Sequence, residues 1–249
     1  MDRRLLIVNG DDFGQGHGVN RGVFRAFEDG ILTSASAMVR WTAVWEAAAY
    51  ARDHPSLGVG LHVDLGEWAI RGGEWVPLYE VVPMEHDAVL DEVLRQVSAF
   101  RGLFGRDPTH LDSHQHRSRE EPVLSAVRAV ADNLGVPLRD HSTVRHCGSF
   151  YGQTGEGESR PDWITVDALL ALIRACGPGV TELACHPGDG SDPDIPTMYK
   201  KERALEAAAL CHPRARGAIE EAGITLVSYL DLEGVASGHV APGSDTASS

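Results

Sequence analysis

Positive charge is scarce in this chain: 22 Lys and Arg residues face 36 Asp and Glu, a formal charge of −14. That balance argues against a nucleic-acid backbone or an anionic membrane as partner, since both call for basic surface. Cysteine is sparse too. Cys147, Cys176, Cys185 and Cys211 show no CxxC spacing, which excludes a dense disulfide framework and suits scattered thiols in a reducing compartment. No stretch approaches the ~18 consecutive apolar residues of a membrane span. The run at residues 5–8, behind Arg3 and Arg4, is too short for the core of a signal peptide. A soluble, cytoplasmic protein is expected. There is no phosphate-binding GxxxxGK[ST] loop and no GxSxG elbow. Gly14-Gln-Gly16-His-Gly18 lacks the spacing of a dinucleotide loop, and acidic residues fill the turn where a pyrophosphate would approach.

What is present is ordinary globular material, 43% hydrophobic with 27 glycines. Short apolar runs alternate with amphipathic segments. Residues 5–8 read as a strand ending in a turn at Asn9-Gly10-Asp11-Asp12, and Val19, Val23, Phe27 and Ile31 recur at helical spacing. Further strands are expected at 35–39, 57–63, 109–111, 136–139, 181–185 and 224–228. Helices are expected at 42–52, through Val89, Val93, Val97 and Phe100, and at 122–134, 166–176, 199–210 and 213–222. Residues 67–85, carrying Trp68, Trp75 and Tyr79, read as a long connection, and residues 140–164 as irregular. The alternation implies an α/β fold with about seven parallel strands joined by right-handed crossovers, in a single domain over residues 1–234. The Gly/Ser/Ala-rich residues 235–249 read as a disordered tail.

The chemistry-bearing residues fall at the C-terminal ends of these strands, the rim on which α/β barrels build active sites. Asp11-Asp12 follows the first strand, His62 ends the third, His110, Asp112, His114 and His116 surround the end of the fourth, and His186 ends the sixth. Adjacent carboxylates repel unless a cation or hydrogen bonds compensate, so a divalent ion on one would leave the other free as a base. Imidazoles suit Zn²⁺, Ni²⁺ or Co²⁺, and a carboxylate keeps the site acceptable to Mg²⁺ or Mn²⁺. Three protein ligands would leave positions open for water and substrate. Asp112 is placed to orient an imidazole, and His186 to protonate a leaving group.

The segments Leu6-Ile-Val-Asn-Gly-Asp11-Asp12-Phe-Gly14, Gly30-Ile-Leu-Thr-Ser34, Gly60-Leu-His62, Thr109-His-Leu-Asp-Ser-His114-Gln-His116, His186-Pro-Gly188 and Gly223-Ile224 occur in that order. Together they resemble the YdjC/ChbG-like carbohydrate deacetylases, over about residues 4–230. The resemblance implies a distorted (β/α) barrel and removal of acetyl groups from N-acetylated sugars, such as chitooligosaccharides, or of acetamido sugars on other conjugates such as hopanoids. It implies one divalent metal ion, Mg²⁺ or Zn²⁺, on Asp12, His62 and His114, with Asp11 as base, and a homodimer. Relatives often continue the histidine run as HxHxH, whereas this chain has Ser118 at the third position, a departure that bears on the sugar preferred. Trp68 and Trp75 are candidates to stack on sugar faces, and His110 and His116 to contact substrate or support the ligands. Two rival readings are metal-dependent phosphoester hydrolysis and a non-catalytic sugar-binding protein. Against the first, the motif segments offer only Arg21 and Arg117 as a phosphate clamp.

Overall fold

The computed structural model describes residues 3–193 and 195–234; the tail expected from 235 onward lies outside them. Its centre is a curled sheet of seven parallel strands. These are β1 (Arg4–Phe13), β2 (Ser34–Ala37), β3 (Gly58–Val63), β6 (Leu111–Ser113), β7 (Arg145–Cys147), β8 (Gly179–Cys185) and β9 (Thr225–Leu226). The order is β6-β3-β2-β1-β8-β7, with β9 paired to the first half of β1. In β1, residues Leu6, Ile7 and Val8 are all fully buried, as a parallel strand covered on both faces requires. The helices α1 (His17–Glu28), α2 (Val44–Asp53), α3 (His86–Phe104), α4 (Val123–Leu134), α5 (Val166–Ala175), α6 (Lys201–Leu210) and α7 (Pro213–Glu221) form the outer layer. In α3 the expected face, Val89, Val93, Val97 and Phe100, is the buried one. Among the described residues, no helix is long and apolar enough to cross a membrane.

Three expected stretches come out differently. Residues 67–85 are not an open connection but carry an antiparallel hairpin, β4 (Gly66–Arg71) and β5 (Glu74–Glu80), apart from the main sheet. The strand expected at 136–139 shrinks to a single bridge between Leu138 and Leu111, flanked by bonds to Pro137 O and from Arg139 N. Pro137 has no N–H to extend the ladder. That bridge lies on β6 at one edge of the sheet; the other edge is β7, inside the segment read as irregular. Finally, β1 does not stop before its acidic pair but runs through it with a register irregularity between Gly10 and Phe13. This is a bulge-like break of the kind that re-aims side chains beside active sites.

Candidate metal and catalytic centre

At that break Asp12 takes φ 64, a left-handed conformation that Asp tolerates better than most residues. The two carboxylates consequently part company. Asp11 accepts from Arg139 Nη1 at 2.7 Å, Arg139 Nη2 at 2.8 Å and Asn9 Nδ2 at 2.8 Å. Asp12 turns to Arg203 Nη2 at 2.6 Å, His114 Nδ1 at 3.0 Å and His62 Nε2 at 3.3 Å. Burial pushes both carboxyls up, but Arg139 on Asp11 and Arg203 on Asp12 outweigh it and hold each well below the usual carboxylate range.

Strand register brings the histidines to Asp12. His62 on β3 lies opposite Asp112 on β6, so their side chains share a face, and His62 Nδ1 meets Asp112 Oδ1 at 2.8 Å. That leaves Nε2 facing Asp12. His114 opens the 3₁₀ turn 114–119 directly after β6; its Nδ1 faces Asp12 and its Nε2 meets Glu67 Oε2 at 2.5 Å. One donor atom from each of Asp12, His62 and His114 lies within 4.8 Å of the others. A second such group, Asp11, His62 and Asp112, is already filled by the Arg139 guanidinium, which bonds both carboxylates.

The charge balance fits a dication. Asp11, Asp12, Asp112, Glu67 and Glu182 are buried around only two buried guanidiniums, Arg139 and Arg203. The three formal negative charges this leaves, costly where they are buried, fall to the cluster's imidazoles as protons or to a dication in the place of those protons. The imidazoles respond to that excess: burial alone would lower His62, but Asp112, with Asp12 and Asp11, pushes it up to about 10. His114 rises likewise through Asp12 and Glu67.

His186 follows β8, the neighbour of β1, and its Nε2 stands 3.8 Å from Asp11 Oδ2. Burial is the largest influence on it and lowers its imidazole to about 4. Its Nδ1 is buried without a hydrogen-bond partner among the described residues. Its backbone N–H donates to Glu206, and its ring meets Tyr151 and Tyr199 edge-on at 5.1 and 5.5 Å. Tyr199 donates its hydroxyl to Glu206 and stacks on Tyr151.

These groups open into a cavity of about 570 Å³ walled by Trp68, Trp75, Tyr151, His116, Arg117 and Met198. Trp68 and Trp75 come from the hairpin, and Arg117 lies over the Trp68 ring at 4.5 Å. His116 takes φ 55 after Gln115 at φ 49, and its ring lies on the cavity wall 5.6 Å from that of His146. Burial lowers it to about 3. His110 does not reach the cavity. It is fully buried, bonded to Ser36 and Thr109 and stacked on Tyr229, and its ring occupies the space where a Cβ on Gly60 would fall, 2.4 Å away. Ser118 is also withdrawn from it: its N–H and hydroxyl both bond the Ser113 hydroxyl and close the turn. Tyr79 bonds Asp64 instead of facing a ligand. At the Gly14–Gly18 loop, the free N–H groups of Gly18 and Val19 are taken by Asp192, both at 2.9 Å.

Arg139, Arg203, Glu67, Tyr151 and Glu206 were not among the residues expected here. Arg139 carried a usable signal, since it ends a segment read as a strand. Arg203 carried none: it sits on a helix 191 residues from its partner Asp12.

A model of the YdjC-like protein family matches residues 5–221. The chain belongs to that family. It is 33% identical to a carbohydrate deacetylase of Geobacillus stearothermophilus, over 92% of this chain and 98% of that protein. It is 32% identical to a chitooligosaccharide deacetylase of Serratia marcescens, over 92% and 99%. Among solved structures, an Enterococcus faecalis protein superposes with a TM-score of 0.74 at 24% identity, over 92% of this chain and 99% of that one. A family 4 carbohydrate esterase of Streptomyces lividans, in complex with acetate, superposes with 0.55 at 15% identity, over 92% and 93%. These two likenesses speak to the fold, a half-barrel of mostly parallel strands, which the YdjC-like chain shares.

Proposed function

We propose that this YdjC-like protein is a metal-dependent carbohydrate N-deacetylase acting on chitooligosaccharides or related acetamido sugars. One observation carries the reading: a buried Asp12–His62–His114 donor cluster lies beside an independently anchored carboxylate, Asp11, at the base of an aromatic-walled cavity. The names of its relatives support the same activity. The four cysteines are all free, in keeping with work in the cytoplasm.

Asp12, His62 and His114 would hold one divalent ion, Mg²⁺ or Zn²⁺. Bound there, it would acidify a water and polarise the acetamide carbonyl. Asp112 holds His62 by Nδ1 and keeps Nε2 turned to the ligand position. Asp11 is the base. Arg139 keeps it ionised but also makes it a weak base, so it needs an acidified water as its proton source. His186 is uncharged at neutral pH. It can therefore give a proton to the departing amine only after receiving one, and Asp11, 3.8 Å away, is the nearest source. Trp68 and Trp75 offer faces for sugar rings.

Phosphoester hydrolysis is the weaker reading. Arg139 and Arg203, at the centre, are committed to carboxylates, and Arg21 bonds Asp189 and Ser191. Arg117, stacked on Trp68, is the one arginine of the expected clamp that lines the cavity, too few for a clamp. The test is acetate release from N,N′-diacetylchitobiose and related acetamido sugars, with and without EDTA. Release that EDTA abolishes and added metal restores is expected. Phosphate release from a phosphoester, with no acetate from any acetamido sugar, would overturn the reading.

A further inference from the structure

The hairpin reaches the centre at a second point besides its tryptophans. Glu67, the second residue of β4, is 2% exposed and lies across the His114 ring from Asp12. His114 Nδ1 is 3.0 Å from Asp12 Oδ1, while Nε2 is 2.5 Å from Glu67 Oε2. An imidazole between two carboxylates offers one nitrogen to each. With its Nε2 proton donated to Glu67, His114 can give up its Nδ1 proton to a metal ion that takes that proton's place beside Asp12. His62 repeats the arrangement with the nitrogens exchanged, Nδ1 on Asp112 and Nε2 toward Asp12.

The sequence and backbone fix where Glu67 can be. Gly66 has φ 147, and a Cβ there would sit 2.6 Å from Tyr79 O, so only glycine lets the chain enter the hairpin along this path. On the other side, Gln115 accepts the Trp68 N–H and donates to the Trp68 carbonyl, both at 2.9 Å. The residue after Glu67 is thus locked to the residue after His114.

We propose that Glu67 is a positioning residue for His114: its carboxylate holds Nε2–H and so presents Nδ1 to the metal beside Asp12 and His62. This rests on reading those three residues as the ligands. Carboxylates that orient ligating imidazoles fix the tautomer and raise ligand basicity, and their loss costs about 10–100-fold in metal affinity.

The test is Zn²⁺ affinity of the metal-stripped full chain, measured by competition with a chromophoric chelator. Four proteins are compared: wild type, Glu67→Ala, Glu67→Gln and His114→Ala. The thermal midpoint of each metal-free protein checks folding. Glu67→Ala is expected to raise Kd about 10–100-fold, less than His114→Ala does. Glu67→Gln, with the same shape and no charge, should fall between wild type and Glu67→Ala. Wild-type affinity in both Glu67 variants, with loss in His114→Ala, would overturn the proposal and leave the ligand assignment standing. Wild-type affinity in His114→Ala would overturn the ligand assignment itself. A loss in Glu67→Ala as large as in His114→Ala would make Glu67 a ligand and overturn its positioning role. If Glu67→Ala fails to fold, Glu67→Gln decides, and an unchanged Kd there overturns the proposal.

Discussion

Arg139 closes a two-pronged grip on Asp11, Nη1 to Oδ2 at 2.7 Å and Nη2 to Oδ1 at 2.8 Å, with both side chains almost wholly buried. The same Nη2 lies 2.7 Å from Asp112 Oδ2 and 2.6 Å from Glu182 Oε1. One guanidinium therefore serves three carboxylates and ties Asp11, the proposed base, to Asp112, the carboxylate that holds His62. A planar, five-donor group can do this; a single ammonium cannot.

Arg139→Lys should accordingly keep the charge but lose the geometry. We expect a folded protein whose kcat falls by about 100-fold, the scale set by misplacing a catalytic group by an ångström. Arg139→Ala should be worse in a different way. Leaving three carboxylates without their cation costs about 3–5 kcal/mol of stability, visible as a large drop in thermal midpoint. Wild-type kcat in the lysine variant would show that the grip on Asp11 does not matter to turnover.

The division of labour between the acidic neighbours is open to a paired experiment. Asp11→Asn should bind metal as the wild type does while kcat falls at least ~10²-fold, because the proton acceptor is gone and the ligands are not. Asp12→Asn should lose metal affinity first and activity as a consequence. If Asp11→Asn turned over normally, or if it was the variant that failed to bind metal, the roles would have to be exchanged.

The part of the centre that was legible in the sequence is the part lying at strand ends. Asp12, His62 and His114 each end or follow a strand of a parallel sheet, so alternation of segments was enough to put them on one rim. Asp112 was expected from its place two residues before His114; that it serves His62 is added by the strand register. What could not be read was whatever depends on how distant surfaces meet. Arg203 comes from a helix, Glu67 from a hairpin hidden in a segment rich in Gly and Trp, and Tyr151 from a loop with no periodicity. His110 shows the opposite failure. Its spacing grouped it with the ligands, and it does keep the Asp112 side of the strand, where Ser36 bonds both, but it sits two residues further down from the rim, buried beneath Gly60 and against Tyr229.

Glu206 gives the fold a pH dependence that can be worked out in sign. Burial raises its carboxyl from 4.5 to about 8, against the lowering effect of the His186 N–H and the Tyr199 hydroxyl. The folded protein thus keeps this proton at pH values where the unfolded chain has released it. The resulting stability is fully present below about pH 4.5 and is lost as pH rises through about 8. Glu206→Gln mimics the protonated acid: its oxygen can accept the His186 N–H, and its amide can donate to the Tyr199 hydroxyl. Thermal midpoints of the two proteins across this range should therefore diverge as pH rises, with the glutamine variant gaining on the wild type. Parallel curves would mean that Glu206 does not titrate in this window.

Trp68 should act on binding and leave the metal alone. It walls the cavity together with Arg117, whose guanidinium packs over its ring at 4.5 Å, so the ring is held in place for contact with a sugar. Trp75 lines the same wall but is 53% exposed, so its side chain has more freedom to lose when a sugar is bound against it. Trp68→Ala is expected to raise KM for an acetamido sugar about 10-fold, equivalent to about 1.4 kcal/mol, with kcat within a factor of about two of wild type. Trp75→Ala should have the smaller effect. Metal affinity should not change in either, which separates them from Glu67 one residue earlier in the chain. An equal fall in kcat and kcat/KM for Trp68→Ala would instead place the ring among the groups that act on the transition state.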